Sequence, residues 1–142
     1  MTENKLRETA GILIIVLHFG MLSALSLLWA KGGFSFNEFT TTFAILTPLL
    51  AAYVATIIAY FSKKRFQNTD RSKKVTVIFV FISLGLPTLF SLVMCLIMLL
   101  FAKGVLFADF EQFKATFAIT EAIFAGYVAT TTNTLFKPSS PP

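Results

Sequence analysis

Four stretches of this chain are too long and too apolar to sit in water: Ala10–Ala30, Phe43–Phe61, Val75–Phe101 and Ala115–Phe136. Each is close to or above the roughly 20 residues that a helix needs to cross a bilayer core. Charged residues make up only 13% of the chain, about half the share in a soluble domain, so too little polar surface remains to face water. The pattern predicts an all-α integral membrane protein with four transmembrane helices and almost nothing outside the bilayer. A soluble nucleic-acid-binding domain built on the net charge of +5 is excluded by the same argument.

The spans divide the chain into a tail (1–9), a first helical hairpin (10–62, spans 10–30 and 43–61), a basic loop (63–74), a second hairpin (75–136, spans 75–101 and 115–136) and a final tail (137–142). The middle loop carries Lys63, Lys64, Arg65, Arg71, Lys73 and Lys74 against a single Asp70. The other two loops hold only Lys31, Lys103 and Lys114, while Lys5, Arg7 and Lys137 lie in or beside the tails. Basic residues mark the cytoplasmic face. Both termini and the middle loop are therefore expected inside, and in a bacterium the membrane would be the inner one. The first span is too long for a signal peptide, and Leu28-Trp29-Ala30 is a poor cleavage site. The single Cys95 reads as a small apolar residue. The tail "KPSSPP" breaks any helix.

The hairpins are copies of one another. Thr42–Thr56 set over Thr116–Thr130 gives nine identities in fifteen columns at an offset of 74, and "LLWAKG" (27–32) matches "LLFAKG" (99–104) at an offset of 72. The two-residue difference falls in the outer loop, where insertions are tolerated. Each half starts and ends on the same side, so the duplication is tandem and parallel, unlike the inverted repeats of many secondary transporters. The outer loops are rich in phenylalanine: Phe34, Phe36 and Phe39, then Phe107, Phe110 and Phe113, with Trp29 nearby. These read as interfacial anchors, and "FADFEQFKATF" as a short interfacial helix ahead of the fourth span.

Small residues recur at helical spacing in the fourth span (Ala118, Ala122, Ala125, Gly126, Ala129) and in the second (Ala44, Ala51, Ala55). Such faces let helices approach closely in lipid, so these two spans are expected to form the central pair, within one chain or between copies. The first and third, with "ILIIVL" and "SLVMCLIMLL", read as lipid-facing. A polar stripe runs alongside: Thr120, Tyr127, Thr131, Asn133 and Thr134 in the fourth span, and Thr47, Tyr53 and Thr56 in the second. It fits interhelical hydrogen bonding, or a water-lined path.

Glu121 is the one carboxylate well inside a span; its repeat counterpart is Thr47. Counted from the start of the apolar run, it lies about 7–9 Å in. A charge facing lipid there would cost about 2–3 kcal/mol or more, so it must face protein or water, pair, or take up a proton. The only histidine, His18, lies about 12 Å from the inner end of the first span by the same count. In a core of about 30 Å the two would sit about 9–11 Å apart along the membrane normal. They are not expected to touch within a chain, and His18 reads as a satisfied polar residue rather than a proton relay.

These features point away from enzymes: one His, one Cys and one buried Glu do not compose a catalytic constellation, and no metal-ligand spacing, cofactor motif or phosphate loop is present. The leading expectation is a homo-oligomeric, cation-conducting channel or membrane-permeabilising effector, with Glu121 forming an acidic ring. The basic loop would then be a regulatory surface for anionic lipid, nucleic acid or a cytosolic protein. The first alternative is a proton-coupled carrier of a small or lipophilic cation. In having one membrane glutamate in four spans, the chain resembles small four-span drug-efflux proteins, although theirs lies in the first span. The second alternative is a non-conducting anchor or subunit of a larger complex.

Overall fold

A computed structural model describes residues 1–64 and 74–136. It contains four helices: α1 (Glu3–Ala30), α2 (Phe36–Lys64), α3 (Val77–Ala102) and α4 (Phe110–Phe136). Three of them, α1, α2 and α3, are long and apolar enough to cross a membrane. The fourth matches them in length, but six threonines and Glu121 dilute its apolarity.

The two turns are built alike at repeat-equivalent positions. After α1, Gly32 has φ +78° and donates to the Trp29 carbonyl, while Gly33 donates to Leu28. After α3, Gly104 has φ +65° and donates to Phe101, while Val105 donates to Leu100. This is the Schellman stop, and its left-handed residue is glycine because a Cβ is strained there. The helices that follow also begin alike. The Ser35 and Glu38 side chains cap each other's backbone N–H groups; before α4, Asp109 accepts from the Gln112 N–H, and the Gln112 amide oxygen accepts from the Ala108 N–H. The second turn is two residues longer, and its Val105 and Leu106 are exposed.

These caps place the helix starts well outside the apolar runs. The stretch expected to be a separate interfacial helix is instead the first part of α4, continuous from Phe110. Asp109 caps it, and no glycine or proline interrupts it before Gly126. Likewise, α1 begins seven residues before its apolar run and α2 seven before its own (10 − 3 and 43 − 36).

In the bundle, α1 packs on α2 and α3, and α4 packs on α2 and α3. Going round, the order is α1, α2, α4, α3, with α1 and α4 at opposite corners. Each helix buries one stripe at three- and four-residue spacing: Leu6, Ala10, Ile14, His18, Met21 and Leu25 on α1; Thr42, Leu46, Tyr53 and Ile57 on α2; Ser83, Ser91, Met94 and Met98 on α3; Phe113, Phe117, Glu121, Phe124 and Val128 on α4. The outer surface is apolar, with Ile12, Val16, Phe81, Leu92, Leu96, Ile119 and Ile123 all exposed. So α1 and α3 present lipid-type faces, yet each also contributes to the core.

Corresponding helices lie side by side, α1 by α3 and α2 by α4. A helix cannot present the same face to its copy as the copy presents to it when the two are stacked in one direction. The buried stripes of the copies are accordingly displaced: Leu46 and Tyr53 are buried on α2, but Glu121 and Val128, the counterparts of Thr47 and Val54, on α4. One residue is about 100° of helix, so this shift is what turns position 121 inward while Thr47 stays partly at the surface.

At the turn end the phenylalanines do more than anchor. Phe113 is fully buried, 4.4 Å from Phe101 and 5.6 Å from Phe34 between ring centroids, and Phe117 continues the stack at 5.3 Å. They form an aromatic plug across that end of the core. Trp29, Phe36 and Phe39 group at the surface. At the other end, Val75 donates to the Met1 carbonyl at 3.2 Å, tying the start of the chain to the start of α3.

Candidate functional site: a buried acid–base pair

His18 and Glu121 meet in the middle of the bundle. The His18 Nε2 lies 3.8 Å from the Glu121 Oε1, and the side chains are 1% and 6% exposed. This overturns the expectation that they stay apart. Counted from the capped turn ends, His18 lies twelve residues from Ala30 (30 − 18) and Glu121 eleven from Phe110 (121 − 110). Both are therefore about 16–18 Å deep. Counting from the apolar edge at 115 had left out the first part of α4, and the error was large enough to hide the contact.

The surroundings hold the pair in place without satisfying it. The His18 ring stacks on Phe124 at 5.6 Å and meets the edge of Tyr53 at 5.3 Å. Phe124 stacks in turn on Phe90 of α3 at 5.2 Å. Ser91 stands eleven residues from Ala102 (102 − 91), level with the pair. Among the described residues, no hydrogen-bond partner reaches either nitrogen of His18, either oxygen of Glu121, or the hydroxyls of Tyr53, Ser83 and Ser91. Buried polar groups are nearly always hydrogen-bonded, and an unmet one costs about 1–3 kcal/mol. An acid and a base this close and this buried can hold or give up one proton between them.

Other residues of the polar stripe behave differently. Threonine hydroxyls bond back to their own helix: Thr47 to the Phe43 carbonyl, Thr56 to Ala52, Thr120 to Thr116, Thr130 to Gly126. Thr131 is buried. Tyr127 donates to the Ile82 carbonyl of α3 at 2.6 Å, a bond between helices. The side chains of Asn133 and Thr134 lie outside the described residues, as do Arg65, Arg71 and Lys73 and the side chains of Lys63 and Lys64; Lys74 is exposed.

The small-residue stripe is not sealed between α2 and α4. Ala44, Ala51, Ala55, Ala122, Gly126 and Ala129 are exposed, and Ala118 and Ala125 half-buried. Between the two helices it leaves an open groove of about 420 Å³ lined by Ala52, Thr56, Ala125, Gly126 and Ala129, with Tyr53 among its walls.

Sequence reasoning had Glu121 and Tyr53 among the candidates but set His18 aside and missed Ser83 and Ser91. The motifs S-x-x-E at 35–38 and D-x-x-Q at 109–112 were the available signal: they mark the true helix starts, and levels counted from them bring His18 and Glu121 together. No protein-family model, curated protein or solved structure matches this chain, so its function is argued from the geometry of the buried pair.

Proposed function

We propose that the protein is a four-span membrane carrier that exchanges a proton for a small or lipophilic cation, with Glu121 and His18 as the coupling pair. The observation that carries this reading is the pair itself: an acid and a base 3.8 Å apart, buried, at mid-depth and without hydrogen-bond partners among the described residues. Ionisable groups inside a membrane are functional candidates by default, and carriers place their sites near the midplane. With one proton held between imidazole and carboxylate the pair is neutral overall. When that proton leaves, one negative charge remains in a low-dielectric site, and a single cation restores neutrality. One proton is thereby exchanged for one monovalent cation.

In this reading all four helices cross the bilayer as a tandem pair of parallel hairpins, with both termini cytoplasmic. Equivalent caps at repeat-equivalent positions support the duplication, and the basic loop supports the orientation. The polar residues that set α4 apart do not oppose its spanning. Glu121 points into the core, and Thr120 and Thr130 are bonded to their own helix.

The oligomeric channel is the second reading, favoured by the exposed small residues of α2 and α4. Its acidic ring is disfavoured, because Glu121 faces the interior of its own chain rather than a neighbour. The two are separated by flux in proteoliposomes, wild type beside Glu121→Gln, with oligomeric size measured for both. A carrier gives cation-driven proton movement that saturates and falls at least about tenfold in the variant. Flux that rises linearly with concentration, or that is indifferent to Glu121→Gln in a folded protein, rejects the carrier. No flux from the wild type leaves the anchor.

A further inference from the structure

The other two helices each add a buried hydroxyl near the acid–base pair. Tyr53 of α2 is 4% exposed and sets its ring edge against His18 at 5.3 Å. Ser91 of α3 is 3% exposed and stands at the level of the pair. Its neighbour Phe90 reaches the pair through Phe124, which stacks on both Phe90 and His18. Helix α3 packs against α1, which carries His18, and against α4, which carries Glu121. Both Glu121 oxygens and both hydroxyls are buried without a hydrogen-bond partner among the described residues. Ser83 is equally unmet, but it lies eight residues nearer the start of α3 (91 − 83), about 12 Å away, and so outside this group.

Resting on the carrier reading, we infer that the cation exchanged for the proton is a dehydrated sodium ion, held by the Glu121 carboxylate with the Ser91 and Tyr53 hydroxyls. Two features select that chemistry. The first is the donor set. Carboxylate and hydroxyl oxygens suit a hard cation, and a hydroxyl can turn its hydrogen away and offer a lone pair. The second is size. The pair is 3.8 Å apart, and the rings of Tyr53 and Phe124 are centred 5.3 and 5.6 Å from that of His18. A bare ion fits such spacing, whereas an organic cation would have to displace the rings. Burial strips the ion of water, so a charge of opposite sign must stand beside it. Glu121 is the only carboxylate among the buried described residues. The exchange balances: the proton held between His18 and Glu121 leaves to water, His18 is left neutral, and one sodium ion takes its place on the carboxylate.

The inference is tested by titrating sodium chloride into the purified full-length protein in detergent at low buffer strength, with proton release read by a pH indicator. Choline chloride sets the ionic-strength baseline, and potassium and methyltriphenylphosphonium are the comparison cations. We expect saturable release of up to one proton per chain, with potassium weaker than sodium by at least about fivefold and the organic cation inert. Glu121→Gln should abolish release. Ser91→Ala and Tyr53→Phe should each raise the sodium midpoint at least about threefold through loss of one oxygen contact. Thr88→Ala removes a hydroxyl of the same helix that is already bonded to the Leu84 carbonyl at 2.8 Å, and it should leave the midpoint unchanged. Sodium release no greater than that with choline overturns the inference, and so does a sodium midpoint indifferent to both Ser91→Ala and Tyr53→Phe. Release driven by methyltriphenylphosphonium and not by sodium would reject the sodium site and keep the carrier. Release by none of the cations would reject the carrier with it.

Discussion

The first hairpin carries His18 where the second carries Phe90 (90 − 18 = 72), and the second carries Glu121 where the first carries Thr47 (121 − 47 = 74). Around these positions the two copies share the same frame. Tyr53 meets the ring of His18, and its counterpart Tyr127 faces the ring of Phe90 at 6.4 Å. Both turns use the same glycine stop and the same kind of cap. The base therefore stands on the leading helix of one copy and the acid on the trailing helix of the other. Since α1 and α4 occupy opposite corners, the two meet across the centre. The two halves share this frame, and the pair rests on two positions where they differ.

The most damaging way to break this comparison is to give each position the residue of the other copy. His18→Phe leaves the Glu121 carboxyl buried with no base beside it, and an unmet buried polar group costs about 1–3 kcal/mol, more when it is charged. Glu121→Thr alone leaves His18 beside a hydroxyl-bearing side chain that can bond to its own helix, so its loss is smaller. The double variant should recover much of the stability lost in His18→Phe, because both unmet polar groups disappear together. Unfolding in detergent, run as a double-mutant cycle, measures the coupling. Simple additivity of the two changes would mean that the pair is a coincidence of packing.

The next effect comes from a place where the copies part company. A Cβ added at Gly33 would lie 2.7 Å from the Ala102 Cβ and 3.2 Å from the Leu28 carbonyl oxygen. Its counterpart Val105 carries a full side chain and is 69% exposed. Gly33 is therefore where the first turn touches the end of α3. Gly33→Ala should cost about 1–3 kcal/mol by overpacking, whereas Val105→Ala should be nearly silent. Equal effects in thermal unfolding would remove this contact from the account.

How much of this was legible in the sequence follows from what each feature depends on. The three helices α1, α2 and α3 that are long and apolar enough to cross a membrane were legible because apolarity is a property of the residues themselves, and the sequence repeat because "YVAT" and "AKG" recur. The depth of Glu121 was not. Apolar content marks where lipid begins, whereas hydrogen-bonded caps mark where a helix begins, and for α4 the two differ by five residues (115 − 110). The pairing of His18 with Glu121 was further hidden because nothing local says which helices stand diagonally. The small residues were visible, but they line a groove rather than a sealed interface. The phenylalanines at the turns looked like anchors, and burial of Phe34 and Phe113 depends on the two turns coming together.

The two tyrosines sharpen the comparison further. Tyr127 donates to the Ile82 carbonyl at 2.6 Å, whereas the Tyr53 hydroxyl has no partner among the described residues. Tyr127→Phe should cost about 1 kcal/mol, the net worth of a typical hydrogen bond. Tyr53→Phe removes a buried hydroxyl that is already unmet, and stability should stay level or rise. A loss of similar size in both would mean that the Tyr53 hydroxyl engages the Glu121–His18 pair in the resting protein.

The smallest effect concerns the glycines that stop the leading helices. Gly32 at φ +78° and Gly104 at φ +65° hold the same left-handed position, and a Cβ on either meets nothing within 4 Å. No packing term distinguishes them, so alanine at each should cost only the backbone strain, about 1 kcal/mol. The two losses should agree within about 0.5 kcal/mol, the usual scatter for changes without other contacts. The turns differ by two residues, and Val105 and Leu106 of the longer one are exposed. Slack there could absorb some of the strain. A clearly smaller loss in Gly104→Ala than in Gly32→Ala would show that the insertion loosened the second turn, and that the copies differ in stiffness at this end as well as in charge at the centre.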